Sequence, residues 1–277
     1  MSTDRLPVRY ERDGFVARIG LHRPQRHNAL NPQAMRLLRD AWRDYAVDRD
    51  ARVAVLWGEG ATFCSGMDIG QTHPGFGYRD GVEVDEAERA EGRRFEALPG
   101  EKRRLQYVPP HDLGKPVIAA LHGRVSGGGL ELALACDLRV AAEGTLIALP
   151  EVTRGIVPAS GAMVWLPRIV GLGRALEMLL TGDPVTAEAA LRFGLVNRVV
   201  PMAQLQASAL QLAERIAANA PLAVQATRDA TLRALGCGVA EGMEISENLS
   251  RVLKASADYE EGFRAFAEKR APRFMGR

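Results

Sequence analysis

The sequence has few cysteines, no long apolar run and no marked excess of charge of one sign. Its three cysteines, Cys64, Cys136 and Cys237, are widely spaced and form no CxxC pair. This pattern argues against a disulfide framework or a zinc site and indicates reduced thiols in a cytosolic protein. No stretch approaches the roughly 20 apolar residues that cross a bilayer. Charges interrupt the first 20 residues, which therefore lack the apolar core of a signal peptide.

The charges are balanced, with 36 Lys and Arg residues against 34 Asp and Glu residues and a formal net charge of +2. Nucleic acids and anionic membranes favour clustered positive charge, so neither is an expected partner. The 277 residues suffice for one large domain, or for a domain with an appended module. We expect a cytoplasmic globular protein.

Short apolar runs in the first half alternate with helical periodicity, which is typical of an α/β protein. Residues 15–21, 53–57, 116–121 and 137–141 are the predicted strands. Asn31 and Pro32 predict a helix start, with Asn as the N-cap. That helix is expected to bury one face, because apolar side chains recur every three or four residues at Met35, Leu38, Trp42 and Tyr45.

The second half is predicted to be mostly helical from Arg174 onward. Gly182 is placed to end a helix, and Pro201 and Pro221 are placed to begin others. Between the predicted strands, residues 72–113 differ in composition and are expected to form a loop and a solvated helix that act as a lid. The sequence thus predicts an α/β core followed by a helical region.

Two segments are rich in glycine, one directly after the predicted strand 53–57 and the other between a predicted strand and a helix. Residues 58–69 (GEGATFCSGMDI) carry three glycines, and residues 126–131 (SGGGLE) open a helix with three more. Each alone also fits a phosphate-binding loop, although no G-x-G-x-x-G supports a dinucleotide site. Together, two main-chain N–H groups from separate turns would form an oxyanion hole, which stabilises negative charge on a carbonyl oxygen such as that of a thioester enolate.

Two glutamates lie among apolar residues. Glu131 follows the triple glycine, and Glu151 stands between Pro150 and Val152. Most glutamates are exposed helix or loop residues, and that interpretation remains open for each of them. If both are buried side by side, one pKa should rise, leaving an acid and a base near neutral pH.

In this order and spacing, the segments resemble the enoyl-CoA hydratase/isomerase (crotonase) family over nearly the whole chain. Residues 23–30 (RPQRHNAL) resemble its RPxxxNAL segment, and residues 261–274 (EGFRAFAEKRAPRF) resemble its C-terminal helix. The resemblance implies an α/β, crotonase-like (ββα)n spiral core over residues 1–200, which holds the acyl-CoA and active site. It implies a helical trimerisation region over residues 201–277.

The resemblance also assigns roles to individual positions. Met67 and Gly128 would supply the two oxyanion-hole N–H groups. Glu131 would orient and deprotonate a water molecule, and Glu151 would supply the α-proton. The residues implied in binding the coenzyme A portion are Arg26, Ala29, Met67, Asp68, Ile69, Gly70, Gly128, Phe266 and Lys269.

These roles predict an enoyl-CoA hydratase, which adds water across the 2,3 double bond of a 2-enoyl-CoA thioester. No metal or redox cofactor is expected for this reaction. Coenzyme A is counted as part of the substrate and not as a cofactor. Two alternatives stay open. One is a relative that uses the same oxyanion hole for isomerisation, hydrolysis or carbon–carbon cleavage, and the other is a non-catalytic acyl-CoA-binding or scaffold protein. In an isomerase, Glu131 would be dispensable and Glu151 essential.

Three features depart from typical hydratases of the family. The run from Asp68 to Pro116 is longer, so the acyl group is not predicted. His122 stands where the family commonly has Asn, and a structural role is expected for it. Residues 159–161 (ASG) replace a glycine-richer run, which could shift the water.

The C-terminal segment predicts assembly. Phe263, Phe266 and Phe274 are interleaved with cationic residues, Arg264, Lys269 and Arg270 among them. In the family this helix packs beside a neighbour's active site, so we expect a homotrimer or a dimer of trimers. The alternative is a solvated terminal helix.

Overall fold

The computed structural model describes residues 6–72, 78–86, 89–90, 92–93 and 107–277. Half of the predicted lid, residues 72–113, therefore lies outside the described residues. The strands are β1 Val8–Asp13, β2 Val16–Leu21, β3 Val53–Gly58, β4 Val117–Leu121, β5 Arg124–Ser126, β6 Leu138–Ala142, β7 Leu146–Ala148, β8 Val185–Thr186 and β9 Arg198–Val200.

The helices follow the same chain order. They are α1 Pro32–Val47, α2 Gly128–Leu134, α3 Ala162–Val170, α4 Leu172–Thr181, α5 Ala187–Arg192, α6 Leu205–Ala217, α7 Pro221–Ala234, α8 Val239–Leu253 and α9 Ala257–Ala267. Three short 3-10 helices span Pro24–Arg26, Pro150–Arg154 and Met202–Gln204. In the described part of the chain, no helix is long and apolar enough to cross a membrane.

The main sheet has six strands in the order β1-β2-β3-β4-β6-β9. Strands β1 and β2 are antiparallel, and the neighbours from β2 to β9 are parallel. A smaller sheet joins β5, β7 and β8. The carboxyl ends of parallel strands meet at one edge, so the loops after β3 and β4 run side by side, and Phe63 N donates to His122 O (3.0 Å).

Helix α1 covers one face of the sheet as its periodicity predicts. Asn31 is its N-cap, with the side chain accepting from Ala34 N (2.9 Å), and Pro32 is its first residue. The four predicted apolar side chains of this helix are all buried in the main core. Trp42 and Tyr45 also satisfy their polar atoms, donating to Tyr107 O and Pro116 O at 2.9 and 2.8 Å.

Helix α6 covers the other face of the sheet. Its buried residues, Leu205, Ala209, Ala213 and Ala217, recur every four positions, and the alanines allow close approach to the strands. The helix begins just after β9 ends at Val200. The division of the chain at residue 200 into a core and a trimerisation region stays a prediction.

Gly182 ends α4 in a left-handed conformation, as predicted. Pro221 begins α7, and Pro201 precedes the 3-10 turn that leads into α6. The prediction that Phe274 shares a helix with Phe263 is wrong, because α9 ends at Ala267.

Two acidic residues of α9 explain why the chain turns back there. Lys269 adopts a positive φ of 54° just after the helix. Glu261 accepts from Arg273 N (2.8 Å), and Asp258 accepts from Met275 N (2.6 Å). These main-chain bonds hold the C-terminal residues against α9 instead of extending it.

Candidate active site

The two glycine-rich turns pack against each other without room for a side chain. A Cβ at Gly66, whose φ is 92°, would lie 2.8 Å from Ser126 O and 3.1 Å from Gly128 N. A Cβ at Gly129 would lie 2.4 Å from Cys64 O. Main-chain bonding joins the same turns, since Ser126 N donates to Cys64 O (3.0 Å). Both positions exclude a side chain by contact, and Gly66 also favours glycine because of its positive φ.

The two predicted oxyanion donors are both at this junction. Leu30 N donates to Gly66 O and Asp68 N donates to Leu30 O, so the N–H of Met67, between them, faces away from Leu30. Gly128 is the first residue of α2, where an N–H has no acceptor within the helix. No described residue accepts a hydrogen bond from either N–H group.

Glu131 is buried in α2 and receives hydrogen bonds at both carboxyl oxygens. Its Oε1 accepts from Ser160 N (2.5 Å) and Ala162 N (3.3 Å), and its Oε2 accepts from Tyr107 Oη (3.1 Å). Burial raises the pKa of Glu131 to about 7, and these donors oppose the rise. The charge of Glu151 adds to the rise.

Glu151 is buried in the 3-10 helix Pro150–Arg154. A Cβ at Gly127 would lie 2.9 Å from its Oε1, which places the carboxyl against the triple-glycine turn. Its Oε2 is buried, and no described residue donates to it. Burial raises the pKa of Glu151. Both glutamates are therefore buried beside the junction, and the interpretation of either as an exposed residue is wrong.

The predicted coenzyme A path is organised around Asp68. This buried carboxylate accepts from Arg23 Nη2 (3.0 Å), Arg26 Nη2 (3.1 Å) and Gln71 N (3.2 Å). The side chain of Arg26 is 46% exposed, so its remaining donors can reach a ligand. Arg23 was not predicted as a site residue, although it is the first letter of the RPxxxNAL segment.

The other residues predicted along this path differ in exposure. Ala29 is buried, Ile69 is 60% exposed, and a Cβ at Gly70 would lie 3.0 Å from Arg26 Nη2. Gly70 therefore leaves space for the guanidinium. On α9 and just beyond it, Phe266 and Lys269 are exposed, with Phe266 at 86%. Their part in binding stays a prediction.

His122 occupies a structural position. Its Nε2 lies 3.0 Å from Gly60 O, its main chain holds Phe63, and burial lowers its pKa. Tyr107, in contrast, contacts Glu131 although no sequence pattern indicated it. It follows a highly charged stretch with no periodicity, so only the packing of the chain identifies it.

Solved structures share this architecture. An enoyl-CoA hydratase from Bacillus anthracis superimposes with a TM-score of 0.85 at 32% identity, covering 98% of this chain and 100% of that one. The α/β fold with a helical C-terminal region is thus the crotonase fold, as predicted, and defines the class of the protein.

Sequence similarity identifies the family. The model of the enoyl-CoA hydratase/isomerase family matches residues 11–277. An (E)-benzylidenesuccinyl-CoA hydratase of Thauera aromatica is 37% identical, covering 98% of this chain and all of that protein. A carnitinyl-CoA dehydratase of Salmonella typhi is 38% identical, covering 96% and 97%. The chain belongs to the enoyl-CoA hydratase/isomerase family and is an enzyme of the crotonase type.

Proposed function

We propose that this protein is an enoyl-CoA hydratase, which adds water across the 2,3 double bond of a 2-enoyl-CoA thioester. The observation that carries the proposal is the pair of buried carboxyls, Glu131 and Glu151, beside two main-chain N–H groups without acceptors among the described residues. Both carboxyls are needed for hydration, because one must take a proton from water while the other gives a proton to carbon.

In this proposal, the N–H groups of Met67 and Gly128 bind the thioester oxygen. Addition of water at the β-carbon pushes electrons through the double bond onto that oxygen, forming an enolate. Donors fixed in a rigid backbone stabilise this charge without reorganising, and a single donor of this kind contributes about 10²–10³ in rate. The close packing of the glycine turns supplies the rigidity.

The surroundings of the glutamates support their different roles. Three donors at Glu131 oppose the burial that raises its pKa to about 7, so that the ionised form, which can take a proton from water, is available near neutral pH. No described residue donates to Oε2 of Glu151, which favours the protonated form and suits an acid. Water loses its proton to Glu131 as hydroxide bonds to the β-carbon. Glu151 then protonates the α-carbon, and transfer of one proton from Glu131 to Glu151 restores the enzyme.

Substrate binding is proposed to involve the turn at Met67, Asp68, Ile69 and Gly70, which would line the path of the pantetheine arm. Arg26, fixed by Asp68, would meet the coenzyme A phosphates near Ala29. The reaction as proposed needs no metal or redox cofactor, since its steps are proton transfers and one addition. The names of the two relatives, a hydratase and a dehydratase, support water as the group added or removed.

The test is a spectroscopic assay with crotonyl-CoA and longer 2-enoyl-CoA thioesters. Hydration removes the conjugation between the double bond and the thioester, so its ultraviolet absorbance is expected to fall with time. The product should be identified as the 3-hydroxyacyl-CoA by mass. If no 2-enoyl-CoA of any length loses absorbance, the proposed reaction is wrong.

The rate of hydration is expected to depend on the ionisation of Glu131. Burial raises its pKa to about 7, and the base must be ionised to accept a proton. The value of kcat/KM, which reports the free enzyme, should therefore fall as the pH drops below about 7. Circular dichroism over the same range checks that the protein stays folded. An acid limb in the ordinary carboxyl range, near 4.5, would contradict this prediction.

We also propose that the chain assembles as a homotrimer or a dimer of trimers. Phe263 and Phe266 are 64% and 86% exposed on α9, an arrangement that a neighbouring subunit would cover. Sedimentation at several protein concentrations should show three or six chains per particle, and Phe266→Ser should shift the distribution toward smaller species. A wild-type monomer at all concentrations would overturn the proposal.

A further inference from the structure

The phenol of Tyr107 reaches the site from the core. Its side chain is fully buried, and its carbonyl oxygen accepts from Nε1 of Trp42 (2.9 Å), which is itself buried in α1. A Cβ at Gly128 would lie 3.0 Å from the Tyr107 hydroxyl and 3.6 Å from Cζ. The absence of a side chain at Gly128 therefore leaves room for this ring beside the proposed oxyanion donor.

The hydroxyl completes the hydrogen bonding of Glu131. Main-chain N–H groups of Ser160 and Ala162 occupy Oε1, and the Tyr107 hydroxyl donates to Oε2. If only Oε1 accepted hydrogen bonds, the carboxyl group could still rotate and change the direction of Oε2. A donor at Oε2 prevents this rotation and fixes the plane of the carboxyl group. Bonds of this kind favour the ionised form of a carboxyl.

We propose that Tyr107 is a positioning residue that favours the ionised form of Glu131 and fixes the direction of its Oε2 toward the attacking water. The inference rests on the proposed hydratase function. Tyr107 itself exchanges no proton in the reaction, and its hydroxyl remains a donor throughout.

Most groups around Glu131 do not change their charge under assay conditions, so the titration of Glu131 itself can be measured. Burial, and next the charge of Glu131, raise the pKa of Tyr107 well above its ordinary value, so the phenol stays protonated under assay conditions. Burial raises the pKa of Cys64, whose charge would act on Tyr107, to about 12, so this thiol also stays neutral. Ser160 contributes only uncharged donors. Among the described residues that shift the pKa of Glu131, Glu151 is thus the one other carboxyl that can titrate with it.

The first experiment compares the wild type with Tyr107→Phe. Loss of the donor should raise the pKa of Glu131, so the acid limb of kcat/KM should move up by about one pH unit. At the optimum pH, kcat should fall by about tenfold while KM changes little, because a Glu131 carboxylate that no longer points at the water slows the chemical step and not substrate binding. Tyr45→Phe is the matched control, since it removes a buried hydroxyl bonded to Pro116 O and should leave the pH profile unchanged.

A second variant predicts the opposite shift. Site-specific replacement of Tyr107 by 3-fluorotyrosine gives a more acidic phenol and a stronger donor, so the acid limb should move down. The pH midpoint of the acid limb should be lowest with fluorotyrosine at position 107, intermediate with tyrosine and highest with phenylalanine. A purely structural role would not produce this order. Coincident limbs for the three proteins, each folded by circular dichroism, would overturn the inference.

A readout without turnover separates this inference from the proposed function. The carboxyl carbons of glutamate can be labelled with ¹³C, and Glu131→Gln identifies the signal of Glu131 in the NMR spectrum. Its titration midpoint should rise in Tyr107→Phe and stay in place in Tyr45→Phe. An inactive wild type with this shift would refute the hydratase proposal alone, whereas an active wild type without the shift would refute the role of Tyr107 alone.

Discussion

Replacing Glu151 by Gln is expected to lower kcat for the hydration of crotonyl-CoA by about 10²–10⁴, and Glu131→Gln by a similar factor. The amide keeps the shape of each side chain but can neither accept nor donate the transferred proton. Both variants should stay folded, because the burial of an uncharged group is less costly than that of a carboxylate. Initial rates from the loss of absorbance, with KM determined separately, measure the effect.

Glu188→Gln provides the control for this pair. This glutamate lies on α5 and bonds to Gly144 N, and an amide oxygen can accept the same bond. Its variant should keep the wild-type rate. If Glu131→Gln remains active on a 3-enoyl-CoA while Glu151→Gln is inactive, the enzyme is an isomerase, because one carboxyl suffices to move a proton between two carbons.

The second large effect is expected from Gly66→Ala. The added Cβ would meet Ser126 O at 2.8 Å and Gly128 N at 3.1 Å, both of which belong to the opposite turn. To relieve these contacts, the turns must separate, which would displace the N–H of Gly128 from that of Met67. A misplaced oxyanion donor should lower kcat by about 10²–10³. Steady-state kinetics with a 2-enoyl-CoA test this.

Gly14→Ala is the control for Gly66→Ala, because it imposes the conformational cost of a positive φ on alanine without any close contact of the added Cβ. Gly14 has a φ of 56°, and a Cβ there meets no atom within 4 Å. Both variants should lose some stability to thermal unfolding, but Gly14→Ala should retain full activity. If Gly66→Ala is as active as Gly14→Ala, the two turns do not hold the donors as proposed.

Much of the backbone could be predicted because local sequence carries its own signals. The four predicted strands correspond to β2, β3, β4 and β6, within one or two residues at their ends. The N-cap at Asn31 and the left-handed Gly182 were predicted from residue type alone. Strand β1 was not predicted, because charged residues interrupt its alternation and half of it is exposed.

The short strands β5, β7, β8 and β9 were also not predicted, and neither was the end of α9 at Ala267. Strands of two or three residues carry too little pattern to be recognised alone. The helix end depends on Glu261 and Asp258 binding main-chain N–H groups more than ten residues further along. Such contacts are set by how the chain folds back, which residue order near the helix does not reveal.

By itself, the sequence determined the chemical groups of the site, because glycine-rich turns and glutamates among apolar neighbours are local patterns that can be recognised from consecutive residues. The tertiary structure decided which groups meet. It packed the turn at Gly66 against Gly128, buried both glutamates so that desolvation raises their pKa, and brought Tyr107 onto Glu131. Burial and contact between distant segments depend on the whole packed core, so no local pattern specifies them.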